Sequence, residues 1–230
     1  MTFLIMKKGE LARAVLAEKG GIAKTADFVA AGVSKPDLTE LNRLGVIERI
    51  RHGFYQLPGE TEISEAQYLS ALLPEAIVSV ESALFHYGYS DFAPRVWTLS
   101  VPRSLSPAKL KFDVVPIKLF YVMQDIFMLG KTSDDFDGTE LSVYDRERTI
   151  CDCFKYRSKL DSETFNKAVN AYVADDHKNL SHLSQYAKTL QVYNRVMSLM
   201  EVMLNGYNGL KLIEFDDVTG AVTLPGPLWR

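Results

Sequence analysis

The stretch from Gly32 to Gly59, GVSKPDLTELNRLGVIERIRHGFYQLPG, leaves little freedom in how it can fold. Ser34 stands three residues before Asp37, so its hydroxyl can accept from an open N–H of a first helical turn while the carboxylate reaches back. That is close to a capping box, and Pro36 is tolerated in the first turn. Leu38, Leu41 and Leu44 follow at helical spacing and predict a buried stripe, and Gly45 supplies the stop. Beyond it Ile47, Arg49 and Arg51 alternate with Glu48 and Ile50, His52-Gly53 makes a turn, and Phe54 to Leu57 returns. The second half therefore predicts a two-stranded hairpin. Lys35, Thr39, Asn42 and Arg43 are left on the outward face of the helix, each with hydrogen-bond donors.

Two more helices precede this stretch. Leu11, Ala12, Val15 and Leu16 predict one from Lys7 to Glu18, ended by Gly20-Gly21. A short one is expected over Thr25 to Ala31, with Ala26, Phe28 and Val29 facing inward and Gly32 as its stop. Three helices and a hairpin make a winged helix-turn-helix, in which the third helix offers donors to base edges in the major groove and a basic hairpin reaches phosphates. Residues 1–59 hold 9 Lys+Arg against 6 Asp+Glu, a net +3, whereas the whole chain is at −3. An anionic partner is thus indicated for the first segment only.

Pro58-Gly59-Glu60 and the polar residues to Glu65 predict a domain boundary, giving a DNA-binding domain over 1–59 and a second domain over 65–230. The second domain reads as mixed. Helices are expected over Ser64–Leu72 and Ser79–Tyr87, and strands over Val96–Val101, Ile117–Val122, Ile126–Leu129 and Leu141–Tyr144. Helices then fill 146–157, 162–173, 180–190 and 193–204, and Val222-Thr223-Leu224 before Pro225 is a candidate last strand. The fold class is α+β: an N-terminal winged helix-turn-helix, then a mixed α/β domain ending in a helical bundle-like segment. At 230 residues, 47% hydrophobic and 24% charged, the composition is that of a globular protein with a real core. MTFLIMKKGELARAV puts its charges after a very short apolar patch, unlike a signal peptide, and no run of about 18 apolar residues exists. A cytoplasmic protein is expected.

Catalytic motifs are fragmentary. Gly130-Lys131-Thr132 ends like a phosphate loop, but Asp125 occupies the place of the leading glycine and would repel phosphate. Asp134, Asp135, Asp137 and Gly138 fail as a calcium loop, which would place Tyr144 where a bidentate glutamate belongs; a solvated hairpin turn is the expectation. Ser82 and His86 lie four apart without a nucleophile turn around the serine. Asp113 and Lys118 lack the acid-x-lysine spacing of a nuclease. The four histidines show no metal-ligand spacing with Cys151 and Cys153, which on a helix point apart as buried thiols. The Val196, Met197, Met200, Met203 stripe reads as core. No cofactor, metal or enzymatic activity is expected.

With SVESALFHYGYSDFAPRVWTLSVP and VYDRERTICDCF downstream of the first stretch, the chain resembles the AbiEi family, the antitoxin and autoregulator halves of bacterial abortive-infection toxin-antitoxin pairs. The resemblance runs from about Gly9 to Leu204. Ser82-Ala83-Leu84 with Gly88 and Pro94, and Glu147-Arg148-Thr149 with Asp152, are its more specific downstream parts. It implies a type IV antitoxin that represses its own operon by binding inverted repeats through the winged helix. It also implies a nucleotidyltransferase toxin as functional partner, opposed by the C-terminal domain without a stable complex. The implied DNA-facing set is Ser34, Lys35, Thr39, Asn42 and Arg43 on the helix with Arg49, Arg51, His52 and Tyr55 on the wing. Asp145, Arg146, Glu147, Arg148 and Asp152 form either a salt-bridged helix start or a surface used in antitoxicity. With about four phosphate contacts a lone module binds weakly, so a monomer in solution acting at paired sites, or a dimer on DNA, is expected. Two other classes fit the same outline, a transcription factor whose C-terminal domain senses a ligand and an enzyme that modifies nucleic acid.

Overall fold

The computed structural model describes residues 2–59, 63–206, 214–215 and 222–223. The chain opens with α1 (Thr2–Glu18), β1 (Ile22–Lys24), α2 (Thr25–Ala30), α3 (Lys35–Arg43), β2 (Glu48–Arg51) and β3 (Phe54–Gln56). α1 ends where Gly20 and Gly21 take φ of 70° and 95°, and the Gly21 N–H closes onto the Leu16 carbonyl at 2.8 Å. α3 begins as its sequence requires: the Ser34 hydroxyl accepts from the Asp37 N–H at 3.3 Å and the Asp37 carboxylate from the Ser34 N–H at 2.8 Å. Its stop is equally local, with Gly45 at φ 69° and the Val46 N–H on the Leu41 carbonyl.

β1, β3 and β2 form an antiparallel sheet in that order. β1 is too short to show an alternation, which is why the sequence reads it as a link between helices. Ala12, Leu16, Phe28, Val33, Leu38, Leu41, Ile47 and Tyr55 share one core. Three expected members stay outside it. Leu44 is 47% exposed because it lies at the C-cap, past the last buried turn, and the six-residue α2 turns only Phe28 inward, leaving Ala26 and Val29 exposed.

Two compact units result, one of residues 1–75, 105–116 and 135–141, the other of 76–104, 117–134 and 142–230. The first therefore runs past the Pro58-Gly59 break into α4 (Glu65–Leu72). Hydrogen bonds explain the extension: the Tyr68 hydroxyl donates to Gln56 Oε1 at 2.6 Å, and Arg51 donates to the Leu72 carbonyl at 2.7 Å.

The rest of the chain supplies β4 (Ile77–Val78), α5 (Val80–His86), β5 (Trp97–Pro102), β6 (Ile117–Val122), α6 (Gln124–Phe127), β7 (Lys131–Phe136) and β8 (Thr139–Tyr144). After them come α7 (Arg146–Lys155), α8 (Ser162–Ala174), α9 (Leu180–Thr189), α10 (Tyr193–Gly206), β9 (Glu214–Phe215) and β10 (Val222–Thr223). The large sheet has the order β6-β5-β4-β8-β7, with β4 antiparallel to β5 and parallel to β8, and β5 parallel to β6. Residues 126–129 are not the expected strand; α6 covers 124–127, four apolar residues being too few to fix a period. β7 went unread because its KTSDDF is exposed over five of six positions and has no apolar side. Asp137 and Gly138 both take positive φ and make the turn of the β7–β8 hairpin, whereas Asp134 and Asp135, expected in that turn, lie in β7 itself. β10 pairs with β9, while Leu224 and Pro225 lie outside the described residues.

Between β4 and α5 the backbone is strained. Val80 is fully buried at φ 47°, a region that a β-branched residue rarely adopts. A hydroxyl lattice holds it: Ser82 N–H donates to Thr98 Oγ1 at 2.8 Å, and Thr98 N–H to Ser82 Oγ at 2.9 Å. Ser82 is thus engaged with a strand, not with His86, whose Nε2 lies 2.9 Å from Asp134.

α7 is buried at every residue from Glu147 to Phe154. Arg148 and Asp152, one turn apart, are both without exposure; Nε donates to Asp152 at 3.1 Å and Nη1 to the carbonyls of Ile126 and Leu129 at 2.8 and 3.0 Å. Gly130 must be glycine, since its φ is 72° and a Cβ would stand 2.6 Å from that of Arg148. Arg148→Met should lower the unfolding free energy in urea by about 3–5 kcal/mol, because it strands a buried carboxylate, and adding Asp152→Leu should recover much of the loss.

Candidate nucleic-acid interface

Helix α3 turns Lys35, Thr39, Asn42 and Arg43 to solvent, as its spacing requires. Their chemistry is unequal. The Thr39 hydroxyl bonds back to the Lys35 carbonyl at 3.1 Å. Arg43 grips Glu40 with two hydrogen bonds, of 2.8 and 2.6 Å, which lower the Glu40 pKa and raise that of Arg43. An i,i+3 carboxylate therefore screens Arg43, a signal that was present in the sequence. Asn42 Oδ1 accepts the Arg49 N–H at 2.9 Å, which ties α3 to the first strand of the hairpin and leaves the amide NH₂ outward.

The hairpin is small and well braced. Its turn at Gly53, φ 83°, accepts the Thr25 N–H at 2.9 Å. Arg49 and His52 are exposed and joined at 2.6 Å between Nη2 and Nδ1. Since a guanidinium only donates, Nδ1 is the acceptor in this contact.

Three of the residues expected at the interface are used otherwise. Ser34 is exposed, but its hydroxyl both accepts from the Asp37 N–H and donates to the Asp37 carboxylate at 2.7 Å, so it serves the cap; those bonds, with Lys8 nearby, depress the Asp37 pKa. Tyr55 is 8% exposed and packs edge-on against Phe28 at 5.7 Å, inside the core. Arg51 is turned away from Arg49. The β2–β3 register shifts between the two, with Arg49 opposite Tyr55 and Arg51 opposite Phe54, so the two-residue alternation that would have placed both on one face is broken. Arg51 instead donates to the carbonyls of Leu72 and Lys109 and lies 4.2 Å from the centre of the Phe54 ring. The sequence reading also passed over Lys24, whose Nζ lies 5.7 Å from the same ring.

The acidic and basic cluster at 145–152 is a helix start. Asp145 caps α7 through the Arg148 N–H at 2.8 Å and accepts the Tyr186 hydroxyl at 3.1 Å. Glu147 is 5% exposed and accepts the Asn179 N–H and the Tyr172 hydroxyl. Arg146 lies over the Tyr87 ring and donates to Asp175 at 3.0 Å. Asp145, Arg146, Glu147 and Arg148 thus tie α7 to other elements, while Asp152 pairs with Arg148 inside the helix.

Residues 7–58 match the family model described as "Transcriptional regulator, AbiEi antitoxin". The match runs from α1 past the end of the hairpin, so the matched stretch contains the whole exposed face just described. Its description is that of a transcriptional regulator of the antitoxin class. No curated protein matches the chain. Among solved structures, the crystal structure of the RV2827C protein from Mycobacterium tuberculosis is similar with a TM-score of 0.61 and 17% identity, covering 86% of this chain and 76% of that one. At such identity the likeness is one of fold. No helix among the described residues is long and apolar enough to cross a membrane.

Acid should expose one of these ties. Burial works against the charge of Asp175, but the Tyr89 hydroxyl at 2.5 Å, the His177 N–H at 2.7 Å and Arg146 hold its pKa down to about 2. A depressed carboxylate stabilises the fold above its ordinary pKa and loses that contribution as pH falls through the folded value. The contribution of Asp175 to stability should therefore fall by about 2 kcal/mol as pH is lowered from 4 to 2. Asp175→Asn should be less stable at pH 7 and flatter over that interval in urea titrations.

Proposed function

We propose that the chain is a DNA-binding antitoxin that represses its own operon and counteracts a nucleotidyltransferase toxin. The carrying observation is the exposed set of Lys35, Thr39, Asn42, Arg49 and His52, brought together by the Asn42–Arg49 bond inside the matched stretch. In this reading residues 1–59 act as a winged helix-turn-helix, α3 lies in the major groove, and Thr39 and the Asn42 amide face base edges. Lys35, Arg49 and His52 hold phosphates, with Arg43 secondary because Glu40 screens it.

Few free cations mean few released counterions, so one copy binds duplex DNA weakly and with a shallow salt dependence. Inverted repeats that seat two copies offset this by joining two half-sites. The part of the chain from residue 65, with its bundle-like helical ending, opposes the toxin in the cytoplasm without forming a lasting complex. The buried state of Glu147, Arg148 and Asp152 favours other surfaces for that task.

In a gel-shift titration against its own promoter, Arg49→Ala should weaken retention and reduce the log–log salt slope by about 1. Arg51→Ala should change thermal stability and leave that slope unaltered; an unchanged slope for Arg49→Ala would remove the hairpin from the interface. Co-expression with an adjacent nucleotidyltransferase should show Arg49→Ala still neutralising it, and loss of growth there would merge the two activities into one surface.

A further inference from the structure

The inward side of the hairpin borders a cavity of about 490 Å³ within the first unit. Phe54, Ala71, Leu72, Pro74 and Ala108 give it apolar walls. Its charged lining is unbalanced, with Lys24, Arg51 and Lys109 against Glu75 alone, and the His52 imidazole, which the operator reading also uses, lines it too. Glu75 pairs through Oε1 with the Lys109 ammonium and acts on Arg51 by charge without a hydrogen bond, which leaves the excess positive charge to Lys24 and Arg51.

Arg51 is the side chain left short. Its hydrogen-bond partners are the neutral carbonyl oxygens of Leu72 and Lys109, the Phe54 ring covers it, and its Nε is buried without an acceptor. A guanidinium withdrawn from water gains little from carbonyls compared with a carboxylate or phosphate, which would meet it with charge-assisted, paired bonds. Lys24 approaches the same ring and has no carboxylate for its ammonium among the described residues. A volume of several hundred cubic ångströms, mostly apolar with a few converging polar groups, is the form of a small-molecule site. A bare phosphodiester would satisfy the cations but leave the apolar walls unused.

We propose that this cavity binds a small organic anion, an acidic group carried on a flat apolar body, with Arg51 and Lys24 holding the charge and Phe54, Ala71 and Ala108 the body. An occupant there bears on β2, the strand that also carries Arg49. Binding is measurable without DNA, so it stands or falls separately from the operator reading.

The full chain is titrated by fluorescence with anilinonaphthalene sulfonate and with phenylnaphthylamine, which has the same rings without the acid. One sulfonate dye should bind per chain, about tenfold more tightly than the amine, as expected for one charge-assisted contact. Lys24→Glu, an exposed change, should weaken the sulfonate about fivefold and leave the amine unchanged. Ala71→Trp should fill the cavity and abolish both, with circular dichroism checking that the fold is kept. Equal affinity for the two dyes, or sulfonate binding untouched by Lys24→Glu and Ala71→Trp, would overturn the assignment. So would displacement of the dye by dimethyl phosphate as readily as by benzoate, which would assign the cations to a nucleic-acid backbone.

Discussion

The register shift between Arg49 and Arg51 governs what the first unit can present. Without it the two side chains would stand together and the hairpin would be an undivided basic finger. With it, Arg49 goes to the solvent face beside His52, where the Asn42 side-chain Oδ1 fixes its backbone, and Arg51 goes to α4 and the Lys109 carbonyl. The outward arginine is placed to meet an anion from solvent, while the inward one joins strand, helix and loop into a single body. The cavity beside Phe54 follows from that same division.

In the second unit, charge is used in the opposite way. α7 lies in the middle of its neighbours and carries an arginine and an aspartate with no exposure at all. Arg148 joins three segments, since it reaches Asp152 in its own helix, two carbonyls at the end of α6, and the face of Tyr144 at 4.2 Å. Gly130 is forced by that side chain as much as by its own backbone. Burial, not catalysis, explains why the thiols of Cys151 and Cys153 on the same helix have raised pKa values and are poor nucleophiles.

Local chemistry was the most legible part of the sequence. The Ser34–Asp37 box, the Gly45 stop and the helices after Asp145 could be read because each signal lies within one or two turns of the residue that it controls. Short strands could not. β1 and β4 are two or three residues long and owe their existence to partners far along the chain, Phe54–Gln56 for one and β5 with β8 for the other. The candidate interface was legible on α3, where period 3.6 sets the outward face, and misread on the hairpin, where one inserted residue changes the face. Tyr55 and Arg51 could be placed only through Phe28 and Leu72, which are distant in sequence. The cavity has no sequence signature for the same reason.

The margin of the large sheet has a further consequence. β7 ends the strand order and puts Lys131, Asp134 and Asp135 in solvent along a strand with almost no apolar surface. Sheets join edge to edge when a flat, uncharged border meets another like it, and like charges facing each other oppose that approach. A border of this kind is a poor template for a strand from another copy, so growth of the sheet past β7 is disfavoured.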